Sequence, residues 1–244
     1  MTVVLLLTTT TAVYAAISQG YPLQHIEVDI HNRNTLQRGA KYFINYCLSC
    51  HSSRYARYQW VGRDLGLSEE MIKKDFIFTD SKVGDLMVVS MPAEGAQQWF
   101  GALPPDLTLV ARARGKDWLY TYLKAFYLDD TRPMGVNNAI FQHVSMPHVL
   151  WDLQGWQKPV YKTISDENGT ERQIIVDFEL VEPGTLSEKE YDRVVRDIVT
   201  FLSYLAEPAK LERHRVGIWV IIFLLGLLVV VYLLKWEYWK DVEK

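Results

Sequence analysis

The chain has 244 residues, 49% of them hydrophobic and 23% charged, so it is neither a mini-protein nor a disordered chain. A net charge of -3 with no basic run excludes a nucleic-acid binder, which needs a clustered cationic surface. Eight Trp and 14 Tyr suit a protein of the membrane interface or one packed around a large flat cofactor, and two cysteines are too few for a disulfide framework.

At the N-terminus, Val3 to Leu7 and Ala12 to Ile17 are apolar, Thr8 to Thr11 separate them, and no Lys or Arg precedes Arg33. The basic n-region of a secretory signal is missing, but Val13-Tyr14-Ala15 offers a small-residue cleavage site, so residues 1–18 read as an export signal. Asn34 is the expected cap of a helix from Thr35 to about Tyr46, with Leu36, Ala40, Phe43 and Cys47 on one face and Gly39 on a neighbouring stripe. That helix runs into Cys47-Leu48-Ser49-Cys50-His51, a C-x-x-C-H sequence, the attachment motif of c-type haem. The spacing has a mechanical basis: two thiols two residues apart reach the vinyl groups on one porphyrin edge, and the next residue sets an imidazole beneath the iron. A thioredoxin-like dithiol would open a helix within a β/α alternation that is absent around Cys47, and zinc would need two more ligands at finger-like spacing. Export and a membrane anchor agree with haem c, which is attached outside the cytoplasm.

A second axial ligand has to come from the methionines or spare histidines. Met91 and Met146 each sit in Ser-Met-Pro, where the proline holds the chain extended, and residue type alone does not separate them. Gly101 to Leu107 contains Pro104-Pro105, whose carbonyl, Pro105 in particular, is a fixed acceptor for the Nδ1–H of an axial imidazole. Arg112 or Arg114, just beyond, can pair a haem propionate. Asp117 to Tyr127 reads as a middle helix. Small cytochromes c carry the ligand methionine between the middle and last helices, which selects Met146 over Met91, with Met134 third; His143 and His148 are expected at the surface or behind the ligands.

Val160 to Ile164 and Gln173 to Val181 read as a β-hairpin turning at Asn168-Gly169, where the sequon Asn168-Gly169-Thr170 is a chance match. Ser187 to Glu190 is a capping box opening a last helix with Tyr191, Val194, Val195, Ile198, Leu202 and Leu205 in step, stopped by Pro208. Crossing of the first and last helices at Gly39 would make the core of a class I cytochrome c-like domain. From Val216 to Leu234 no charge occurs, about 28 Å of helix, enough for a bilayer, and Trp219, Tyr232, Trp236, Tyr238 and Trp239 suit the headgroup layers. The expected organisation is mainly α: an export segment at 1–18, a haem domain with a β-hairpin insertion at 19–209, and one transmembrane anchor with a short tail at 210–244.

The segments CHSSRYARY from Cys47, GALPPDLTLVARARG from Gly101, GVNNAIF, VSMPHVLWDLQG around Met146, and EYWKDVEK after a terminal span resemble, in order, the cytochrome c1 family of the bc1 complex, proteobacterial type. The resemblance implies covalent haem c at Cys47 and Cys50, iron ligation by His51 and Met146, and Arg114 near a propionate. It also implies cytochrome b and a Rieske iron–sulfur protein as partners, cytochrome c as electron acceptor, and a haem domain on the periplasmic side of a bacterial inner membrane. Two places depart from it: Trp99-Phe100 stands where mitochondrial relatives carry asparagines, and Trp118 replaces a tyrosine near the propionates. Glu69-Glu70 and Asp129-Asp130 are acidic pairs that either steer a basic partner or are simply solvated turns. The competing readings are a haem c subunit of a terminal oxidase or nitric oxide reductase, for which an N-terminal anchor is the commoner arrangement, and an anchored gas sensor with an open sixth position.

Overall fold

The computed structural model describes residues 21–89, 91–165 and 171–241. The export segment and the Asn168-Gly169 turn therefore lie outside the described residues. In chain order the elements are α1 (Arg33–Tyr42), a π-helical turn (Phe43–Cys47), β1 (Ser53–Arg57), α2 (Tyr58–Leu65), α3 (Glu69–Asp75), β2 (Leu86–Met87), α4 (Ala93–Phe100), α5 (Val110–Arg114) and α6 (Lys116–Lys124). There follow β3 (Phe126–Leu128), β4 (Val136–Asn138), α7 (Trp151–Gln154), β5 (Gly155–Ser165), β6 (Glu171–Pro183), α8 (Glu188–Ala206) and α9 (Lys210–Trp239). Helix predominates, and the strands form three two-stranded antiparallel sheets, β1 with β2, β3 with β4 and β5 with β6. Two compact units emerge: residues 26–119 with 192–241, and residues 21–25 with 120–191.

In the first unit α1 is capped by Asn32 rather than Asn34: its Oδ1 accepts from the Thr35 amide at 3.2 Å. Asn32 has the extended backbone a cap requires, whereas Asn34 already lies inside the first turn. Leu36, Ala40 and Phe43 are buried as their spacing predicts, and Phe43 meets Phe201 of α8, whose Val195 and Ile198 are buried too. Gly39 sits at the crossing. A Cβ there would run into the Asp197 carbonyl oxygen and lie 2.8 Å from the Phe201 Cβ, so no larger residue lets the two backbones approach this closely. The Phe43 and Phe201 rings pack at 5.4 Å, each burial contributing about 1.5–3 kcal/mol. Beside them Arg38 grips the buried Asp197 with two bonds, Nε to Oδ2 at 2.6 Å and Nη2 to Oδ1 at 3.2 Å, and this carboxylate holds the guanidinium above its ordinary pKa.

In α9, Arg215–Trp239 is long and apolar enough to cross a membrane, 25 residues or about 37 Å, and none of it is buried within the protein. The expected span, Val216 to Leu234, falls inside it.

The second unit corrects one helix. α6 ends at Lys124, so Ala125 to Tyr127 are not helical as expected. Phe126 and Tyr127 have the aromatic character of strand residues, and they pair with Asn138 and Asn137 in the β3–β4 ladder, whose bonds outweigh one more helical turn. Phe126, Val136 and Val144 make the centre of this unit, with Tyr122, Met134, Met146 and Trp156 packed on it. The hairpin is longer than its apolar alternation suggested, paired from Gly155–Pro183 to Ser165–Glu171 with two irregularities. Its base is closed by Gly155 at φ +94°, where a Cβ would strike the Glu182 carbonyl.

Candidate haem-binding site

The π-helical turn delivers Cys47 at the end of a helix, and the chain then folds on the Cys47 carbonyl, which accepts from the amides of Cys50 at 3.1 Å and His51 at 2.8 Å. One acceptor thus gathers both cysteines and the histidine into a single turn. Both cysteines are unpaired and half-buried. Although Cys47 is half-buried as a residue, its thiol is desolvated, and that burial, with Cys50 beside it, pushes the thiol up to about 12. It is a protonated thiol at neutral pH and a poor participant in disulfide exchange.

His51 is buried, and its Nδ1 lies 2.7 Å from the Pro105 carbonyl oxygen. A carbonyl only accepts, so Nδ1 carries the proton and Nε2 keeps its lone pair for a ligand. Burial lowers the imidazole below its usual pKa, against the opposing pull of the Pro105 bond and the nearby Asp106, and the neutral form, the one that can bind a metal, is favoured. The Pro105 loop is itself stitched down. The Leu107 amide donates to the Ser52 carbonyl at 2.8 Å, the Arg54 amide to Asp106 Oδ2 at 2.8 Å, and the Tyr55 amide to Thr108 Oγ1 at 3.4 Å. The Val89 amide bonds Ser52 Oγ at 3.0 Å. Burial pushes the Asp106 carboxyl up, but the bonds from Thr108 and Arg54 outweigh it and leave it below the usual carboxylate range.

Arg114 is exposed on α5 in the same unit, its guanidinium 5.1 Å from the Trp118 ring centre; the Trp that departs from the family pattern is thus a cation–π partner of the arginine. Trp99 is exposed and Phe100 half-buried at the end of α4. Met91 is half-buried at a bend in this unit. Met134 and Met146 both belong to the second unit's core.

Met146 is half-buried, and the Tyr122 hydroxyl donates to its Sδ at 3.4 Å. The loop before it is held by two buried asparagines. Asn137 Oδ1 accepts from the amides of Asn138 and His143, both at 2.9 Å, while its Nδ2 donates to Asp129 Oδ2 at 3.0 Å. Asn138 Nδ2 donates to the Tyr122 carbonyl at 2.8 Å, and its Oδ1 accepts from the Ile140 amide at 3.1 Å. His143 takes a left-handed φ of 61° within this network. After Met146, His148 is stacked on Phe126 with centres 5.1 Å apart and meets Trp156 edge-on at 5.9 Å. Its burial pushes the imidazole down to about 4, so it is neutral at pH 7.

Sequence reasoning passed over Tyr122, Asn137 and Asn138. A polar Asn-Asn pair inside the otherwise apolar Val136 to Ile140 run was the available signal. Asp129, of the acidic pair read as steering a partner or as a solvated turn, accepts from the Thr131 hydroxyl at 2.5 Å within its turn and also from Asn137. Glu69 pairs with Lys73 at 2.7 Å in the first turn of α3.

The donor set of this one turn, two cysteines outside any disulfide and an imidazole with a fixed tautomer, fits a haem-bearing electron carrier. The cytochrome C1 family model matches residues 24–158 and 174–242. A cytochrome c1 of Allochromatium vinosum is 52% identical over 92% of this chain and 91% of its own length. A protein named ammonia monooxygenase gamma subunit, from Nitrosomonas europaea, is 45% identical over 98% of this chain and 97% of its own. A cytochrome b/c1 of Bradyrhizobium diazoefficiens is 25% identical over 86% of this chain but only 34% of its own length. The chain belongs to the cytochrome c1 family and is an electron-transfer haem subunit.

Proposed function

We propose that this chain takes one electron from a Rieske iron–sulfur protein and passes it to a cytochrome c, within a bc1 complex that also contains cytochrome b. The observation that carries the proposal is the C-x-x-C-H turn whose histidine is tied through Nδ1 to the Pro105 carbonyl, which leaves Nε2 the unprotonated nitrogen. Cys47 and Cys50 would hold the haem covalently as thioethers, His51 and Met146 would ligate its iron, and Arg114 would pair a propionate. The bound haem supplies the reversible one-electron couple. The chain's own residues do the rest: Pro105 fixes the histidine tautomer and strengthens it as a donor, the buried surroundings of His51 limit water, and Met146 offers a soft ligand that favours the reduced state. No acid, base or nucleophile is required. Residues 19–209 form the periplasmic haem domain, and α9 anchors it with the tail from Lys235 on the cytoplasmic side.

The relative named cytochrome b/c1, about a third of which this chain matches, supports cytochrome b as the neighbour. The relative named as an ammonia monooxygenase subunit supports a second assembly, since its similarity spans nearly both chains. Purification from native membranes through a C-terminal tag separates them. Co-purifying cytochrome b and an iron–sulfur protein, with quinol-dependent reduction of the haem, is the expected result; co-purifying monooxygenase subunits without that reduction would replace the proposal.

A further inference from the structure

We propose that the cleft between α2 and the α8–α9 junction binds the headgroup of an anionic glycerophospholipid from the adjacent membrane leaflet. The cleft has a volume of about 310 Å³ and is lined by Tyr55, Arg57, Trp60, Arg63, Leu211 and Glu212, all in the unit that carries α9. Its depth in the membrane follows from its wall. Leu211 stands four residues before Arg215, where the apolar span begins, a distance of about 6 Å along the helix. A cleft at that height opens into the headgroup layer. Its exposed aromatics suit that layer: Trp60 is 49% and Tyr55 67% exposed, rings that an ordinary aqueous surface seldom leaves open in a pair.

Charge selects the ligand. Two carboxylates reach the cleft, and each has its own cation: Asp64 binds Arg63 at 3.1 Å, and Glu212 binds Arg215 at 2.5 Å. Arg57 is different. Among the described residues no carboxylate pairs with it; Nη1 donates to the Gly84 carbonyl at 2.7 Å, and the guanidinium lies 5.4 Å from the Trp60 ring centre. These contacts orient the group without neutralising it, leaving donors for a phosphodiester on a guanidinium that has no carboxylate of its own, while Glu212 is neutralised from outside the cleft by Arg215. Acyl chains would then run along the fully exposed apolar surface of α9 from Val216 onward.

The inference rests on α9 being a membrane anchor, a reading tested separately by whether the full chain stays with membranes after a carbonate wash. For the lipid itself, the full-length haem-bearing chain, stripped of lipid in detergent, is titrated with phosphatidylglycerol, phosphatidylcholine or inorganic phosphate, and bound molecules are counted by native mass spectrometry. One phosphatidylglycerol should bind about tenfold more tightly than phosphatidylcholine, and Arg57→Gln should remove that preference while Arg57→Lys keeps part of it. Because Arg57 also ties down the Gly84 loop, Leu211→Glu provides an independent variant: it adds a negative charge to the cleft wall without touching that tie and should weaken phosphatidylglycerol about tenfold. Equal binding of the two lipids, wild-type binding in both Arg57→Gln and Leu211→Glu, or displacement of the lipid by inorganic phosphate would overturn the proposal.

Discussion

The Cys47–His51 turn and the Met146 loop are built by different means. The first is chiefly a backbone construction: the Cys47 carbonyl gathers two amides, Pro105 anchors the imidazole through its carbonyl, and Leu107 and Ser52 join main chain to main chain, with the side chains of Asp106, Thr108 and Ser52 bracing the loop from outside. The second depends on side chains, with Asn137 and Asn138 supplying the bonds that shape the loop and Tyr122 holding the sulfur. Backbone bonds survive almost any substitution, whereas a side-chain network is lost with one residue. The histidine end should therefore be hard to perturb without destroying it, and the methionine end should respond in graded steps.

Replacing the thioether outright should give the largest step. Met146→Lys is expected to lower the haem midpoint potential by on the order of 100 mV or more, equivalent to about 2.3 kcal/mol per electron at 100 mV, because a nitrogen donor stabilises the oxidised iron. Met91→Leu should leave the potential nearly unchanged. Redox titration of both variants checks this, and the reverse pattern would move the ligand to the Met91 bend.

A smaller loss is expected from Asn138→Ala. Asn138 is fully buried, and its removal strands the Ile140 amide, a cost of about 1–3 kcal/mol measurable by denaturant unfolding. A drop in stability with the haem spectrum retained would place the effect in the loop; an unchanged midpoint of unfolding would mean that the asparagine bonds contribute nothing.

Tyr122→Phe removes only the hydroxyl that donates to Met146 Sδ. A donor on the sulfur draws electron density from it and so disfavours the oxidised iron. Its loss should lower the potential by about 20 mV, the equivalent of about 0.5 kcal/mol, a fraction of a neutral hydrogen bond. A rise in potential would mean that the hydroxyl competes with the iron for the sulfur.

The weakest handle is pH. The Asp129 carboxyl lies below its usual range, chiefly because the Thr131 hydroxyl donates to it, burial opposing and Asn137 assisting. A depressed folded-state pKa means the unfolded chain binds the proton more readily, so this stabilisation is present at neutral pH and fades as pH falls through the folded value. Unfolding measured from pH 7 to 3 should fall slightly more steeply in the wild type than in Asp129→Asn, whose amide does not titrate in this range. Parallel curves would remove Asp129 from the loop's support.

What the sequence made legible divides along the same line. The buried face of α1, the close approach at Gly39 and the apolar run of α9 follow from local spacing, and the structure carries each of them, while the C-x-x-C-H sequence folds as a single turn. The end of α6 did not: aromatic residues at Phe126 and Tyr127 satisfy helical periodicity as well as strand pairing, and only the partner strand at Val136–Asn138 decides between them. The Asn32 cap was missed because two asparagines two residues apart are equally good caps by type. Tyr122, Asn137 and Asn138 act through partners between 1 and 24 residues away, and pattern reasoning sees apolar periodicity far better than buried polar bonds. At the acidic pair Asp129-Asp130 the turn was legible, but the bond from Asn137 to Asp129 was not, since composition does not show which carboxylate accepts from a distant amide.

The central claim, that the Cys47–His51 turn carries a covalently held haem, is tested most directly by mass. Full-length protein from its native membrane, extracted with acidified organic solvent and then digested, should yield one peptide containing Cys47 to His51 heavier by a single haem, with neither thiol open to alkylation. Complete loss of the haem to the solvent, with both cysteines alkylated on the same peptide, would contradict it.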